Sequence, residues 1–341
     1  MNSISEAETQ EKKKEGNADP SMVLSEKFNL MEVQKDRIEQ LEENKLGNRT
    51  HTGLLYGMPI VIRFIGKNVE TVQQIVSDLS KYNHPSLALN YGYMLDKNSE
   101  GEEEVYVIRE LIKGKNFFAA KGYTLHDQLV ILYKTICIIE FLHSFNIYFK
   151  NLRPDKIIIT DDVEIKLVDN IKNDDEFFGA LKDQLILTKD SYRYICPELY
   201  EIKDKITDHE KLKKFDLYSL GCLMFFSVTG KNPWEGYNAK KDIINAYNQS
   251  PAAFFIIEKE NITTTDKKLA SIIERCLTNQ FDDVNKLREE FGKFPQVILY
   301  LKDDVLEFDF KKETENVIRN INELVDEIDK LFDSNANIDK K

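Results

Sequence analysis

The chain has 341 residues, 42% of them hydrophobic and 31% charged, which suits a globular protein with one sizeable core and excludes wholesale disorder. Its 59 acidic residues outnumber 47 basic ones, for a formal net charge of -12. That balance excludes nucleic acid and anionic membrane surfaces as expected ligands, because affinity for either comes from clustered Lys and Arg.

The opening MNSISEAETQEKKKEGNADP lacks the apolar core of a secretory leader, and no stretch approaches the roughly 20 apolar residues of a membrane span. Cys137, Cys196, Cys222 and Cys276 are widely spaced with no CxxC pair, the pattern of reduced, buried thiols. A cytoplasmic location is expected. In chain order, residues 1–22 are polar and nearly free of large apolar side chains and read as a disordered tail. Residues 23–45 form a lead-in with helical spacing at Leu24, Phe28, Met31, Ile38 and Leu41. Residues 46–114 read as strands around a single helix. A strand enters through the Gly57 turn and runs to Phe64, Val69 to Tyr82 has helical spacing, and Glu104 to Leu111 is extended.

Residues 125–145 then predict a long helix with Leu125, Leu129, Leu132, Ile136, Ile139 and Leu142 on one broad apolar face. A strand-turn-strand piece follows, Ile157 to Thr160 and Glu164 to Val168, and from Asp216 to about 292 the pattern is helical. Beyond Phe294, alternation at Val297, Leu299 and Leu301, answered by Val305, Phe308 and Phe310, predicts a β-hairpin turning at Lys302-Asp303-Asp304. Val317, Ile321, Leu324, Ile328 and Leu331 recur at 4-3-4-3 spacing, the seam of a coiled coil. About two heptads are marginal alone, so this helix either docks back on the domain or pairs with a partner or a second copy.

Several ordered segments carry a resemblance. Pro59-Ile60-Val61-Ile62-Arg63 is similar to V-A-I-K, and Ile147-Tyr148-Phe149-Lys150-Asn151-Leu152-Arg153-Pro154-Asp155-Lys156-Ile157 to I-x-H-R-D-L-K-P-x-N-I. Lys166-Leu167-Val168-Asp169-Asn170-Ile171 resembles K-L-x-D-F-G, and Tyr194-Ile195-Cys196-Pro197-Glu198 resembles Y-x-A-P-E. The run from Asp216 to Trp234 is similar to D-x-W-S-L-G and the T-G-x-x-P-F that ends its helix. Together they resemble the protein-kinase superfamily over residues 46–292, and Gly57 to Ile62 resembles its tyrosine-kinase-like branch. The resemblance implies an α+β, bilobal fold: a β-rich N-lobe at about 46–114, a helical C-lobe at about 115–292, then the hairpin and amphipathic helix of 295–341.

Phosphoryl transfer requires a glycine-rich cover, a lysine on the phosphates, metal-holding residues and a base beside the nucleophile. By this resemblance each part is degenerate. The cover, Gly47-Asn48-Arg49-Thr50-His51-Thr52, keeps only its first glycine, with Gly53 one residue late; an ordinary hairpin competes with a phosphate cradle there. Arg63 takes the lysine position, and Gln74 or Ile75 stands where its glutamate partner belongs. Val61 and Arg109 line the adenine end, where Arg109 either charges the pocket or faces solvent. Asn151 replaces the proton-accepting aspartate, Arg153 keeps a cation in place of lysine, and Lys156 replaces a metal-binding asparagine. Asp169 is the one retained metal ligand, a weak site by itself, and Asn170-Ile171 replaces Phe-Gly.

Structural positions survive instead. Phe149 preserves packing where the family has histidine, Asp216 is implied to hold the catalytic-loop backbone, and Glu198 is implied to pair with a cation, for which Lys286 and Arg288 are the candidates. The expected function is a pseudokinase that works by binding, a scaffold or regulator of a protein partner such as an active kinase, with self-association through residues 317–331 as one mode. The alternatives are a divergent active protein kinase and a nucleotide-binding switch without catalysis. No cofactor is required by the first reading; ATP enters with the alternatives, and magnesium finds only Asp169. Thr188, Ser191, Tyr192 and Tyr194 lie where the family's activation segment is phosphorylated.

Overall fold

The computed structural model describes residues 31–43, 49–67, 84–150, 152–161, 163–168, 191–200, 206 and 208–303. The chain divides into two compact units, one running to Asn83 and including Leu89–Leu111, the other made of His84–Ala88 and the chain from Ile112 onward.

The first unit is a six-stranded sheet of β1 (Met31–Glu32), β2 (Ile38–Glu42), β3 (Thr50–Leu55), β4 (Met58–Gly66), β5 (Asn90–Lys97) and β6 (Glu103–Glu110), in the order β1-β5-β6-β4-β3-β2. Only the β1–β5 pair is parallel. Strands β3 and β4 meet at a two-residue turn, Tyr56-Gly57, with φ of 51° and 77°. Two successive positive φ values match the right-handed twist of a hairpin, and glycine reaches that region without steric cost. Alternation then sorts the β4 side chains. Ile60 and Ile62 pack with Val33, Ile38, Leu55, Met94, Tyr106 and Ile108 on one face, while Tyr93, Val105 and Val107 form a second cluster on the other. Both faces of the sheet carry buried apolar groups.

The strands at 31–42 correct the helical lead-in read from Met31, Ile38 and Leu41. Ile38 pairs with Leu55 of β3, and the Val33 amide donates to the Tyr93 carbonyl at 2.8 Å. So few apolar residues fit either period, and burial of Val33 and Ile38 by strands far along the chain decides it.

The second unit holds a small sheet, β7 (Lys115–Asn116), β8 (Ile157–Ile159) and β9 (Ile165–Leu167), and a set of helices. Among the described residues these are α1 (Leu125–Ser144), α2 (His209–Thr229), α3 (Lys240–Gln249), α4 (Ala253–Thr265), α5 (Lys267–Leu277), α6 (Val284–Phe291) and α7 (Pro295–Asp303). Thr124 and Asp127 start α1 with a reciprocal capping box, and Asp208 caps α2 by accepting from the Glu210 and Lys211 amides. Helix α2 is buried along most of its length, from Phe215 to Ser227, and packs on α1, α4 and α5; α6 packs on α1. The α+β expectation, a β-rich unit and a helical one, holds.

Helix α7 corrects the first arm of the predicted hairpin. Pro295 opens it, a favoured first position for a residue without an N–H. Val297 and Phe294 are buried, and the helix packs on α1, where the Lys134 ammonium lies 4.9 Å from the centre of the Tyr300 ring. A run of five apolar residues satisfies period 2 and period 3.6 alike, and docking on α1 selects the helix. The expectations for residues 1–22, the helix at 69–82, the second hairpin arm at 305–310 and the seam at 317–331 lie outside the described residues.

Candidate functional site

Within the first unit, register brings three of the four nucleotide-site candidates there together. Val61 pairs with Arg109 and Arg63 with Val107, so these four residues form a two-by-two block on one face of β4 and β6, the arginines on one diagonal. Thr52 and Thr50 of β3 stand opposite Val61 and Arg63. Val61 is buried, whereas Arg63 and Arg109 are half-buried. The block therefore carries two guanidinium groups across one diagonal, a side-chain type that pairs with phosphates and carboxylates. Gly47, the fourth candidate, lies outside the described residues.

Arg49 sits elsewhere. With φ at 55°, it lays its guanidinium 3.6 Å from the centre of the Phe64 ring, pairs with the Glu104 carboxylate and donates to the Tyr106 hydroxyl at 3.0 Å. Phe64 and Tyr106 are cross-strand partners on the face opposite Arg63, so Arg49 is held away from the Val61–Arg63 side. Gly53, the displaced glycine, has a packing reason: a Cβ there would meet Ile38 Cγ2 at 2.7 Å and the Glu39 carbonyl oxygen at 3.1 Å. The close approach of β2 requires it.

In the second unit the catalytic-loop-like segment is organised by Asp216 on α2, which is wholly buried. One carboxylate oxygen accepts from the Phe149 amide at 2.8 Å and bonds His143 Nε2 at 2.9 Å; the other accepts from the Lys150 amide at 2.6 Å. These bonds hold Lys150 at φ 58°, a left-handed conformation costly for a side-chain-bearing residue. Phe149 is buried in the main core. Arg153 is buried and donates to Asp155 at 2.6 Å. Lys156 is also buried. Its amide donates to the Arg153 carbonyl at 3.0 Å, and its own carbonyl accepts from Val168 at 2.9 Å, joining the loop to the end of β9. Asn151, Asp169, Asn170 and Ile171 lie outside the described residues; among those described, no cluster of three His, Cys, Asp or Glu side chains is placed to hold a metal.

Farther on, Ser219 donates to the Tyr194 carbonyl at 2.9 Å and the Tyr194 hydroxyl donates to Asn232 at 2.8 Å. Arg193 is buried and donates to the carbonyls of Trp234 and Tyr237. Glu198 accepts from the Tyr247 hydroxyl at 3.0 Å and lies 3.8 Å from the Lys211 ammonium. This corrects the assignment of Lys286 or Arg288: Lys286 pairs with Asp282 four residues back, and Arg288 with Glu140 of α1 at 2.5 Å. Local helix geometry and α1 claim those two cations first. Burial pushes the Cys196 thiol up to about 12 and the Cys137 thiol up to about 11, so neither is a nucleophile at neutral pH. Burial, aided by Lys166, pushes the His84 imidazole down to about 4; its Nδ1 accepts from the Ser86 amide at 3.0 Å.

Three anchors escaped the sequence reading: His143, Arg193 and Tyr247. A histidine ending an apolar helix marks the first, but Arg193 and Tyr247 depend on partners 41 and 49 residues away, and no local pattern signals them.

A family model described as Protein kinase domain matches residues 63–283, more than half of the chain. Serine/threonine-protein kinase RAD53 of Saccharomyces cerevisiae is 25% identical over 278 residues, covering 73% of this chain and 32% of that protein. Human ribosomal protein S6 kinase alpha-2 is 24% identical over 55% of this chain and 25% of its own length, and mouse sperm motility kinase 3A 26% identical over 55% and 36%. The chain thus spans about a third or less of the first two relatives. The family match, on a chain whose two units and loop-holding aspartate are as described, places this protein in the protein kinase domain family.

Proposed function

We infer that this member of the family is a pseudokinase: it binds a protein partner in the cytoplasm, an active kinase being the kind of partner the fold suits, and transfers no phosphate. Lys156 carries the reading. An ammonium stands where the resemblance puts a metal ligand, and its backbone is held on both sides, by Arg153 and by Val168. A buried lysine side chain at that point offers no oxygen to coordinate a divalent ion. Asn151 adds a second loss, because a carboxamide lacks the basicity of a carboxylate, and a missing base alone costs about 10² to 10⁴ in rate. The supports of the loop, Asp216 and Phe149, remain. Shape kept where chemistry is lost is what a binding role on this fold requires.

The relatives are named as kinases, and their activity belongs to proteins of which this chain matches a part. Incubation of the full chain with magnesium-ATP and generic protein substrates tests the reading. No transfer is expected; transfer abolished by Arg63→Ala overturns it.

The Arg63–Arg109 diagonal favours a second reading, a switch that binds nucleotide without turnover. Thermal shifts with ATP, with and without magnesium, separate the two. Ligand at a hundred times its Kd stabilises a protein by about 2.7 kcal/mol, so a metal-independent rise in Tm supports the switch and an unchanged Tm the empty pseudokinase.

A further inference from the structure

Helix α7 is apolar on almost every side. Val297 is buried against the second unit, yet Ile298, Leu299 and Leu301 are 39%, 53% and 45% exposed. A helix with an unbroken apolar run from Val297 to Leu301 belongs in an interior, and among the described residues its outer side is left partly exposed.

The chain itself carries a matching occupant. Residues 304–316 separate α7 from Val317, and 13 extended residues reach about 45 Å, several times the roughly 14 Å length of a nine-residue helix. A return onto α7 is within easy reach. The seam Val317, Ile321, Leu324, Ile328 and Leu331 is widened on one side by Ile318, Val325 and Phe332, each seven residues from the next. Three apolar positions per heptad make the stripe of a helix laid on a globular surface, whereas a two-copy coiled coil needs two. Charge agrees. Residues 317–332 carry Glu323, Asp326, Glu327 and Asp329 against Arg319 and Lys330. At the start of α7 the exposed Lys268 and Lys293 lie near one another, with the Lys268 ammonium 4.2 Å from the centre of the Phe294 ring.

We propose that residues 317–332 form a helix that docks in cis on the outer face of α7, over Ile298, Leu299 and Leu301. The test is amide hydrogen exchange on the full chain, with molar mass followed by light scattering. Residues 317–332 are protected in a monomer, and Leu299→Lys or Leu324→Lys each raises their exchange at least tenfold. Leu299 is already half in water, and far-UV circular dichroism checks that both variants stay folded. Three results overturn the proposal: coil-like exchange of 317–332 in the unmodified chain, protection indifferent to Leu299→Lys, or protection that rises with concentration together with a dimer mass.

Discussion

Replacing Asp216 tests how the loop is held. Its carboxylate serves three donors, the amides of Phe149 and Lys150 and the His143 ring, from a fully buried position. In Asp216→Asn one oxygen survives and an amide N–H₂ faces one of the former donors. With the oxygen kept toward Phe149 and His143, the Lys150 amide loses its acceptor, at about 1–3 kcal/mol for an unsatisfied buried donor. Asp216→Ala strands all three donors. Relief from burying a carboxylate offsets part of that loss, leaving about 3–5 kcal/mol, the usual cost of breaking a buried charged network. Urea unfolding measures both values, and hydrogen exchange locates them: the Phe149 and Lys150 amides lose protection ahead of the rest of the second unit. An Asp216→Asn variant within 0.5 kcal/mol of the parent, with both amides still protected, refutes the assignment.

His84 predicts a pH dependence. Its imidazole falls from 6.5 unfolded to about 4 folded, so the unfolded chain binds the extra proton between those values. The contribution is complete above pH 6.5 and is lost as pH falls toward 4, about 3 kcal/mol in all. Between pH 7.5 and 5.5 the parent should lose about 1.4 kcal/mol more than His84→Gln; parallel curves would show the ring is accessible. In the first unit, Arg49→Met removes the guanidinium from Phe64 and leaves Glu104, 4% exposed, with the Tyr106 hydroxyl. A loss of about 2 kcal/mol is expected in urea, discounted from a fully buried pair because Arg49 is partly in solvent, and a change under 0.5 kcal/mol would mean the pair is a surface contact. Gly53→Ala should destabilise by about 1–3 kcal/mol through the Ile38 contact, and an unchanged urea midpoint would argue against the close approach of β2.

Much of the architecture was legible in local pattern. The β-branched run after Gly57 and the apolar face of α1 are long enough for one period to win, and the motif-bearing segments identified Asp216 and Phe149. Short or uniformly apolar stretches were not. Met31–Glu32 and Ile38–Glu42 became strands, on either side of a 3-10 turn at Lys35–Arg37, because β5 and β3 lay beside them, and Val297–Leu301 became a helix because α1 offered a surface. The partners of Glu198 were hidden for a related reason: the nearest cations by sequence argument, Lys286 and Arg288, were already engaged, and Tyr247 carries no charge to attract notice. Arg49 was legible as an obstacle in the glycine-rich segment, but its seat on Phe64 depends on a cross-strand register that spacing does not encode.

The central claim is that shape persists here without phosphotransfer. The most direct measurement is incorporation of labelled phosphate from magnesium-ATP by the purified full chain, beside Arg63→Ala. The account predicts the same background signal from both. Incorporation by the parent that disappears in Arg63→Ala would contradict it, and would mean that a lysine at position 156 and an asparagine at 151 do not prevent catalysis.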